Sequence, residues 1–310
     1  MTPSLIPPFE DEQLDRLGSG LLDLLFELGA AAPPLMIGGG FGLFLKREHL
    51  KRGNEKTIIE QPELWPKARS TKDLDVILPL ELLVDSERRR PLADALSRLR
   101  YHPIEESKYW QFAQPGDPGE GKTGIKVDLL GGPLLGLLGR FERQFQKDNR
   151  RWRAKSKGQP SVHLHARKTL EAIGVEEEPL FIPIEGRRST GEQYQAQVCL
   201  PQAFPYALMK LFAFRDQKDN PDPRKDKGRH HALDLYAIVA MMTEPEYEFA
   251  KRAREKYAGN AKVREAAEII RQDFAGPESI GVLRLKEHHL YDAAMDLDTL
   301  LSVLREIFGR

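Results

Sequence analysis

Asp73 and Asp75 stand two residues apart at the start of the segment running to Leu80, whose apolar and branched content predicts a β-strand. Side chains alternate along a strand, so the two carboxylates share one face while Leu74 and Val76 turn to the other. Like charges so placed repel, and the arrangement calls for a cation between them. One or two magnesium ions held by oxygen ligands are the usual solution. A third carboxylate, Asp128, lies in Ile125-Lys126-Val127-Asp128-Leu129-Leu130, again strand-like with apolar neighbours. Three carboxylates on neighbouring strands, holding two metals ~4 Å apart, would clamp the attacking and leaving oxygens of an in-line phosphoryl or nucleotidyl transfer.

Periodicity indicates the helices and strands that would carry these groups. Leu14, Leu17, Leu21, Leu24, Leu25 and Leu28 recur at helical steps, predicting an amphipathic helix over 10–28 that Gly29 and Pro33-Pro34 end. Leu35-Met36-Ile37 reads as a short buried strand, Gly38-Gly39-Gly40 as a turn and 41–51 as a helix. That order lets backbone amides approach a triphosphate at a helix amino terminus. A loop over 52–70, the Asp73 strand, a helix over 85–99 and strands at 101–104, 109–113 and 123–130 complete a mixed sheet of four or five strands, the last two as a hairpin. Further strand-like pieces occur at 162–166, 180–184 and 195–200. Helices are expected at 205–217, 228–243, 245–257, 261–274 and 296–308. The change of character near residue 200 divides the chain into 1–200 and 201–310, and the class is α+β.

Gly116 to Thr123 fits G-x-x-x-x-G-K-[ST] letter for letter. A phosphate-binding loop of that kind must open a helix at its Lys-Thr. Gly124 to Leu129 instead alternates at period two, so the segment reads as a glycine-rich hairpin loop.

The chain of 310 residues balances 47 Lys and Arg against 47 Asp and Glu, so any polyanion affinity must come from uneven placement. Between Arg140 and Lys168 ten basic residues face two acidic ones. Such a tract, with Arg150, Arg151 and Arg153 at its centre, can grip a phosphate backbone through counterion release while Trp152 stacks on a base; the alternative is a solvated surface helix. His163 with His165, His230-His231 and His288-His289 lack a third ligand and read as surface or hydrogen-bonded histidines. A single cysteine, Cys199, excludes an intramolecular disulfide framework, and its apolar surroundings predict a buried thiol. Acidic Glu10, Asp11 and Glu12 stand where a secretory leader would be basic, and the run 29–45 is too short and too rich in proline and glycine to span a bilayer. The expected location is cytoplasmic, with no membrane partner.

Ile37-Gly38-Gly39, Arg69-Ser70-Thr71-Lys72-Asp73-Leu74-Asp75-Val76, Lys126-Val127-Asp128, Lys210-Leu211-Phe212-Ala213 and Asp234-Leu235-Tyr236 together resemble the nucleotidyltransferase superfamily. Within it they resemble the AbiEii-like toxins of type IV toxin–antitoxin systems and the related MenT toxins. The resemblance covers about residues 35–240. It implies a nucleotidyltransferase-fold mixed sheet with flanking helices and a carboxy-terminal helical domain. Asp73 and Asp75 would be ligands of two Mg2+ ions, and Asp128 a ligand of the catalytic one, orienting and helping deprotonate the attacking hydroxyl. Gly38, Gly39 and Lys210 would contact the phosphates of an NTP, with Asp234 a supporting polar group. The implied reaction moves an NMP to an acceptor hydroxyl and releases pyrophosphate. The first-choice acceptor is RNA, such as the tRNA 3′ end, and a cognate antitoxin is an expected partner. The same chemistry on a small molecule or protein hydroxyl, or a non-catalytic nucleotide-binding module, are the alternatives.

Overall fold

The structure, a computed structural model, describes residues 11–29, 32–53, 55–107, 109–116, 124–134, 142–155, 163–220 and 227–309. It is α+β, and the chain forms two compact units. The first comprises residues 1–42, 70–169 and 179–200; the second comprises 43–69, 170–178 and 201–310.

In the first unit, helix α1 (Glu12–Leu28) starts where Asp11 accepts hydrogen bonds from the amides of Gln13 and Leu14. It ends at Gly29, whose φ of 80° only glycine adopts without strain. Leu14, Leu17, Leu21, Leu24 and Leu25 of its leucine face are buried and Leu28 is half-buried, and Gly20 lies so close to Ile125 that an added Cβ would come within 2.4 Å of the isoleucine side chain. Among the described residues nine strands form one mixed sheet: β1 (Met36–Ile37), β2 (Asp73–Ile77), β3 (His102–Pro103), β4 (Gln111–Ala113), β5 (Lys126–Gly131), β6 (Arg151–Trp152), β7 (Ala166–Lys168), β8 (Leu180–Arg187) and β9 (Gln193–Leu200). The path runs β3-β4-β5-β2-β1-β9-β8, with β7 branching from β5 and β6 pairing only β7. Its ends, β3 and β8, carry Pro103 and Pro183, and the branch ends in a two-residue strand beginning with Arg151.

The sheet is larger than the four or five strands expected because the strand-like pieces near 162–166, 180–184 and 195–200 join it as β7, β8 and β9, and β6, two residues long with no period-two signal, adds a ninth strand. A second correction concerns Leu80, which opens a short helix, α3 (Leu80–Val84), after Pro79 rather than closing the β2 strand. Helix α4 (Ser86–Arg98) comes next, capped by Asp85. Helix α2 (Gly39–Leu50) is joined closely to β1, and the hairpin of β4 with β5 is antiparallel as expected.

The second unit is built on α5 (Ala203–Gln217), α6 (Gly228–Ala240), α7 (Glu244–Lys256), α8 (Ala261–Asp273), α9 (Ile280–Lys286) and α10 (Leu297–Phe308). Helix α9 has no counterpart among the expected elements; two turns are too few for a period to show. Phe204, Tyr206, Phe214, Tyr236 and Phe274 fill this unit's interior. Tyr236 Oη donates to the carbonyl of Leu64 and accepts from the amide of Asp296, so its polar end is satisfied. Helix α7 begins with a capping box between Thr243 and Glu246, and both Glu246 oxygens also lie 2.7 Å from the buried Lys46 ammonium. Among the described residues no helix is long and apolar enough to cross a membrane.

Candidate active site

The pleat of β2 and β5 positions the three carboxylates. Leu74, Val76, Val127 and Leu129 are fully buried on one face, and Asp73, Asp75, Lys126 and Asp128 alternate with them on the other. The strands are parallel neighbours in a register that pairs Asp75 with Asp128 and Asp73 with Lys126. Adjacent strands lie ~4.8 Å apart, so Asp75 and Asp128 are direct cross-strand neighbours on one face. The expected convergence of the three is therefore a property of the register.

The glycine turn packs on the same carboxylates. Gly38 donates its amide to the Asp75 carbonyl at 2.8 Å, so that N–H serves the sheet, and a phosphate contact by Gly38 cannot use it. Gly39, at φ 62°, lies so close to Asp75 that an added Cβ would stand 1.7 Å from Oδ2. Any side chain there would displace the carboxylate, which is the physical reason for glycine at this point. The Asp75 carboxylate thus sits at the amino terminus of α2, where the helix dipole favours negative charge.

Sequence alone does not single out two further residues in this cluster. The Lys126 ammonium lies 3.0 Å from Asp128 Oδ1 and 3.7 Å from Asp73 Oδ2, and Gln111 donates to Asp128 Oδ2 at 2.8 Å. Asp128 Oδ1 is buried and accepts no hydrogen bond among the described residues; the ammonium is near it but off the line that a hydrogen bond takes. Lys126 Nζ is instead aligned with Oδ2, at 3.3 Å. Three carboxylates with one unsatisfied buried oxygen are a hard-oxygen donor set of the kind Mg2+ takes. Among the described residues no group of three or more His, Cys, Asp or Glu side chains is gathered as a ready-made metal site, and here an ammonium stands among the acids.

A second cluster lies within the helical unit. Lys210 on α5 donates to Asp234 Oδ2 on α6 at 2.6 Å, and Arg69 binds both Asp234 oxygens through Nε and Nη2 at 3.0 Å each. Asp234 is 3% exposed. Burial alone would raise its pKa, but Arg69 and Lys210 outweigh it and hold the carboxyl well below the usual range. The pairing of Lys210 with Asp234 agrees with the supporting role expected of the aspartate. Arg69, 165 positions from Asp234, is the partner that spacing could not reveal.

Histidines adjoin this cluster. His230 Nδ1 and His288 Nε2 are 2.8 Å apart, and His288 Nδ1 accepts the amide of Leu290. In the neutral pair His288 therefore carries its proton on Nε2 and donates it to His230. Burial, then the neighbouring His230 and His289, push His288 down to about 4; burial and Lys210 push His231 down to about 3. Asp234 opposes both shifts, and Arg69 adds to both. An unfolded histidine titrates near ~6.5, so below that pH the unfolded chain binds protons that the folded chain refuses. The histidines' contribution to stability is thus complete above ~6.5 and shrinks as pH falls towards the folded values. The urea midpoint is expected to drop between about pH 7 and pH 5, and to drop less in His288→Gln, which can keep both hydrogen bonds. A midpoint unchanged over that interval in the natural protein would refute the neutral-pair assignment.

Among the described residues the basic tract is a 3-10 turn at Glu142–Gln144, loop and the strands β6 and β7 rather than an α-helix. Asp148 accepts from the amides of Arg150 and Arg151 and from Arg151 Nε, shaping a turn into β6. Arg150 is exposed, and Arg151 and Arg153 are half-buried. Trp152 corrects the expectation of a base-stacking ring: it is 7% exposed, its indole N–H donates to the carbonyls of Gly131 and Gly132, and Phe145 and the Lys168 ammonium cover its faces. Arg140 and Lys157 lie outside the described residues. The stretch 117–123 of the glycine-rich loop, with Lys122, lies outside them too; the next element among the described residues is the strand β5 and not a helix, in keeping with the hairpin reading. Exposed His163 stacks on Tyr109, and buried His165 meets the same ring edge-on. Cys199 is a buried free thiol, pushed up to about 11 by burial. Compared with protein-family models and with curated proteins the chain has no match, so the functional reading rests on its own residues.

Proposed function

We propose that the protein is a Mg2+-dependent nucleotidyltransferase that moves an NMP from an NTP to an acceptor hydroxyl, the acceptor being RNA such as the tRNA 3′ end. The observation that carries this reading is the parallel register of β2 and β5, which sets Asp75 against Asp128 with Asp73 on the same face. Three carboxylates on one sheet face against the single ammonium of Lys126 leave an excess of like charge that is costly to fold without a function for it. They argue against a module that only binds nucleotide.

In this reading Asp73 and Asp75 would hold the metal, which when bound supplies Lewis-acid stabilisation of the phosphate and leaving oxygens, while Asp128 faces the attacking hydroxyl. Gln111 fixes the Asp128 carboxylate through Oδ2, leaving Oδ1 to orient the acceptor hydroxyl and draw off its proton as the new phosphodiester bond forms. Gly39 keeps the approach to Asp75 clear of side chains. Within the helical unit, Asp234 holds Lys210, to which the resemblance assigns the NTP phosphates, in one place. A role as the toxin of a toxin–antitoxin pair, with a protein antitoxin as partner, rests on the same resemblance.

Incubation with each labelled NTP, Mg2+ and total RNA tests the reading. Label is expected in RNA. Label in protein or in a small molecule would replace the acceptor, and no label in any fraction would remove the enzyme reading.

The acceptor has a physical handle in the exposed basic turn. Neutralising Arg150, Arg151 and Arg153 together is expected to weaken RNA binding and flatten its salt dependence by about one unit of log-log slope per lost phosphate contact. Because Arg151 is already paired with Asp148, Arg150 and Arg153 should account for most of the change. An unaltered slope in a salt titration would make this turn a solvated surface only.

A further inference from the structure

We propose that Lys126 is a built-in cation of the carboxylate cluster, standing in for one of the two metal ions, so that the site takes a single divalent ion. This rests on the nucleotidyltransferase reading. The register places Lys126 opposite Asp73, and the period of β5 places it on the same face as Asp128, so its ammonium is directed to the edge that these two acids share. It lies 3.0 Å from Asp128 and 3.7 Å from Asp73. In the two-ion arrangement the resemblance implies, the ion that uses Asp128 is the catalytic one, and it needs this same edge. An ammonium and a divalent cation cannot share it, since both need the same oxygens at contact distance and repel each other.

Charge supports the same conclusion. Three carboxylates and one ammonium leave two negative charges among these four side chains, which one divalent ion matches. The Lys126 side chain is about a quarter exposed and Asp128 less, so the pair is screened by water less than a surface pair would be. A lysine here also supplies what a second ion would, a positive charge beside the oxygen that loses its proton, without having to be recruited from solution.

Mn2+ binding measured by electron paramagnetic resonance and by calorimetry, with a non-hydrolysable NTP analogue present, tests this without reference to turnover. About one Mn2+ per chain is expected for the natural protein and for Lys126→Arg. About two are expected for Lys126→Met, with Asp128→Asn in that background removing the second. Two ions in the natural protein, or one in a folded Lys126→Met, would overturn the role of Lys126 while leaving the metal-dependent reading in place. No Mn2+ bound by any of these proteins would overturn both. Should Lys126→Met fail to fold, the stoichiometry of the natural protein and the Mn2+-induced rise in melting temperature of Lys126→Gln, expected to exceed that of the natural protein, decide the matter.

Discussion

Asp128→Asn is expected to lower nucleotidyl transfer by about a thousandfold while leaving the fold intact, a loss of several kcal/mol of transition-state stabilisation at about 1.4 kcal/mol per tenfold. The substitution keeps the shape of the side chain and an oxygen to accept the Gln111 hydrogen bond, so β4 and β5 have no reason to part. It removes the charge that Lys126 faces and the basic oxygen that a hydroxyl proton would move to. Single-turnover label transfer and thermal unfolding, measured on the same preparation, separate these effects. Near-normal transfer by a well-folded variant would mean that the cluster is not the catalytic centre. Gln111→Ala provides the intermediate case: it frees Asp128 to rotate without removing its charge, and a loss of about tenfold is expected if orientation is what Gln111 supplies.

Asp234→Ala should instead act on stability, costing about 3–5 kcal/mol, because it strands two cations in a buried place. Lys210 and Arg69 both direct their hydrogen bonds at this carboxylate, and their side chains are 9% and 17% exposed. Lys210→Met should cost less, since Arg69 still satisfies both Asp234 oxygens. Acid should produce the same failure. The folded-state pKa of Asp234 is depressed, so its contribution is complete above the unfolded value of ~3.9 and is lost as pH falls below it. Urea unfolding followed by both fluorescence and circular dichroism is the suitable measurement, as two units need not unfold as one. A change under about 1 kcal/mol for Asp234→Ala would show that the cations find water or other partners when the carboxylate is gone.

The carboxylate face was legible in the sequence because period two is local: Asp73, Asp75 and the apolar residues between them state their own orientation. That Asp75 faces Asp128 was not, since a parallel pairing across some fifty residues depends on the crossover through α3, α4, β3 and β4. Lys126 carried a local signal, two positions before Asp128, but like charges on one face call equally for a metal or an ammonium, and spacing does not distinguish them. Trp152 misled for a related reason: an aromatic among arginines resembles a stacking platform until the carbonyls of Gly131 and Gly132 are found beside its N–H. Arg69 and His288 find their partners in tertiary packing alone. The helices from α5 to α8 and α10 were the most legible, being long and clearly bounded.

The proline at each end of the sheet path bears on how this chain meets copies of itself. An eight-residue outer strand such as β8, with Phe181 half exposed, is a template on which a second chain could lay a strand. Pro183 breaks the row of donors that such a strand would need, and Pro103 does the same on β3. The third outer strand, β6, is two residues long and begins with an arginine, so it offers little length to pair and a charge that repels its own image. Growth by strand addition is therefore discouraged wherever the described sheet ends. The sheet that carries the cluster of acids on one face is thus guarded at its outer strands against pairing with copies of itself.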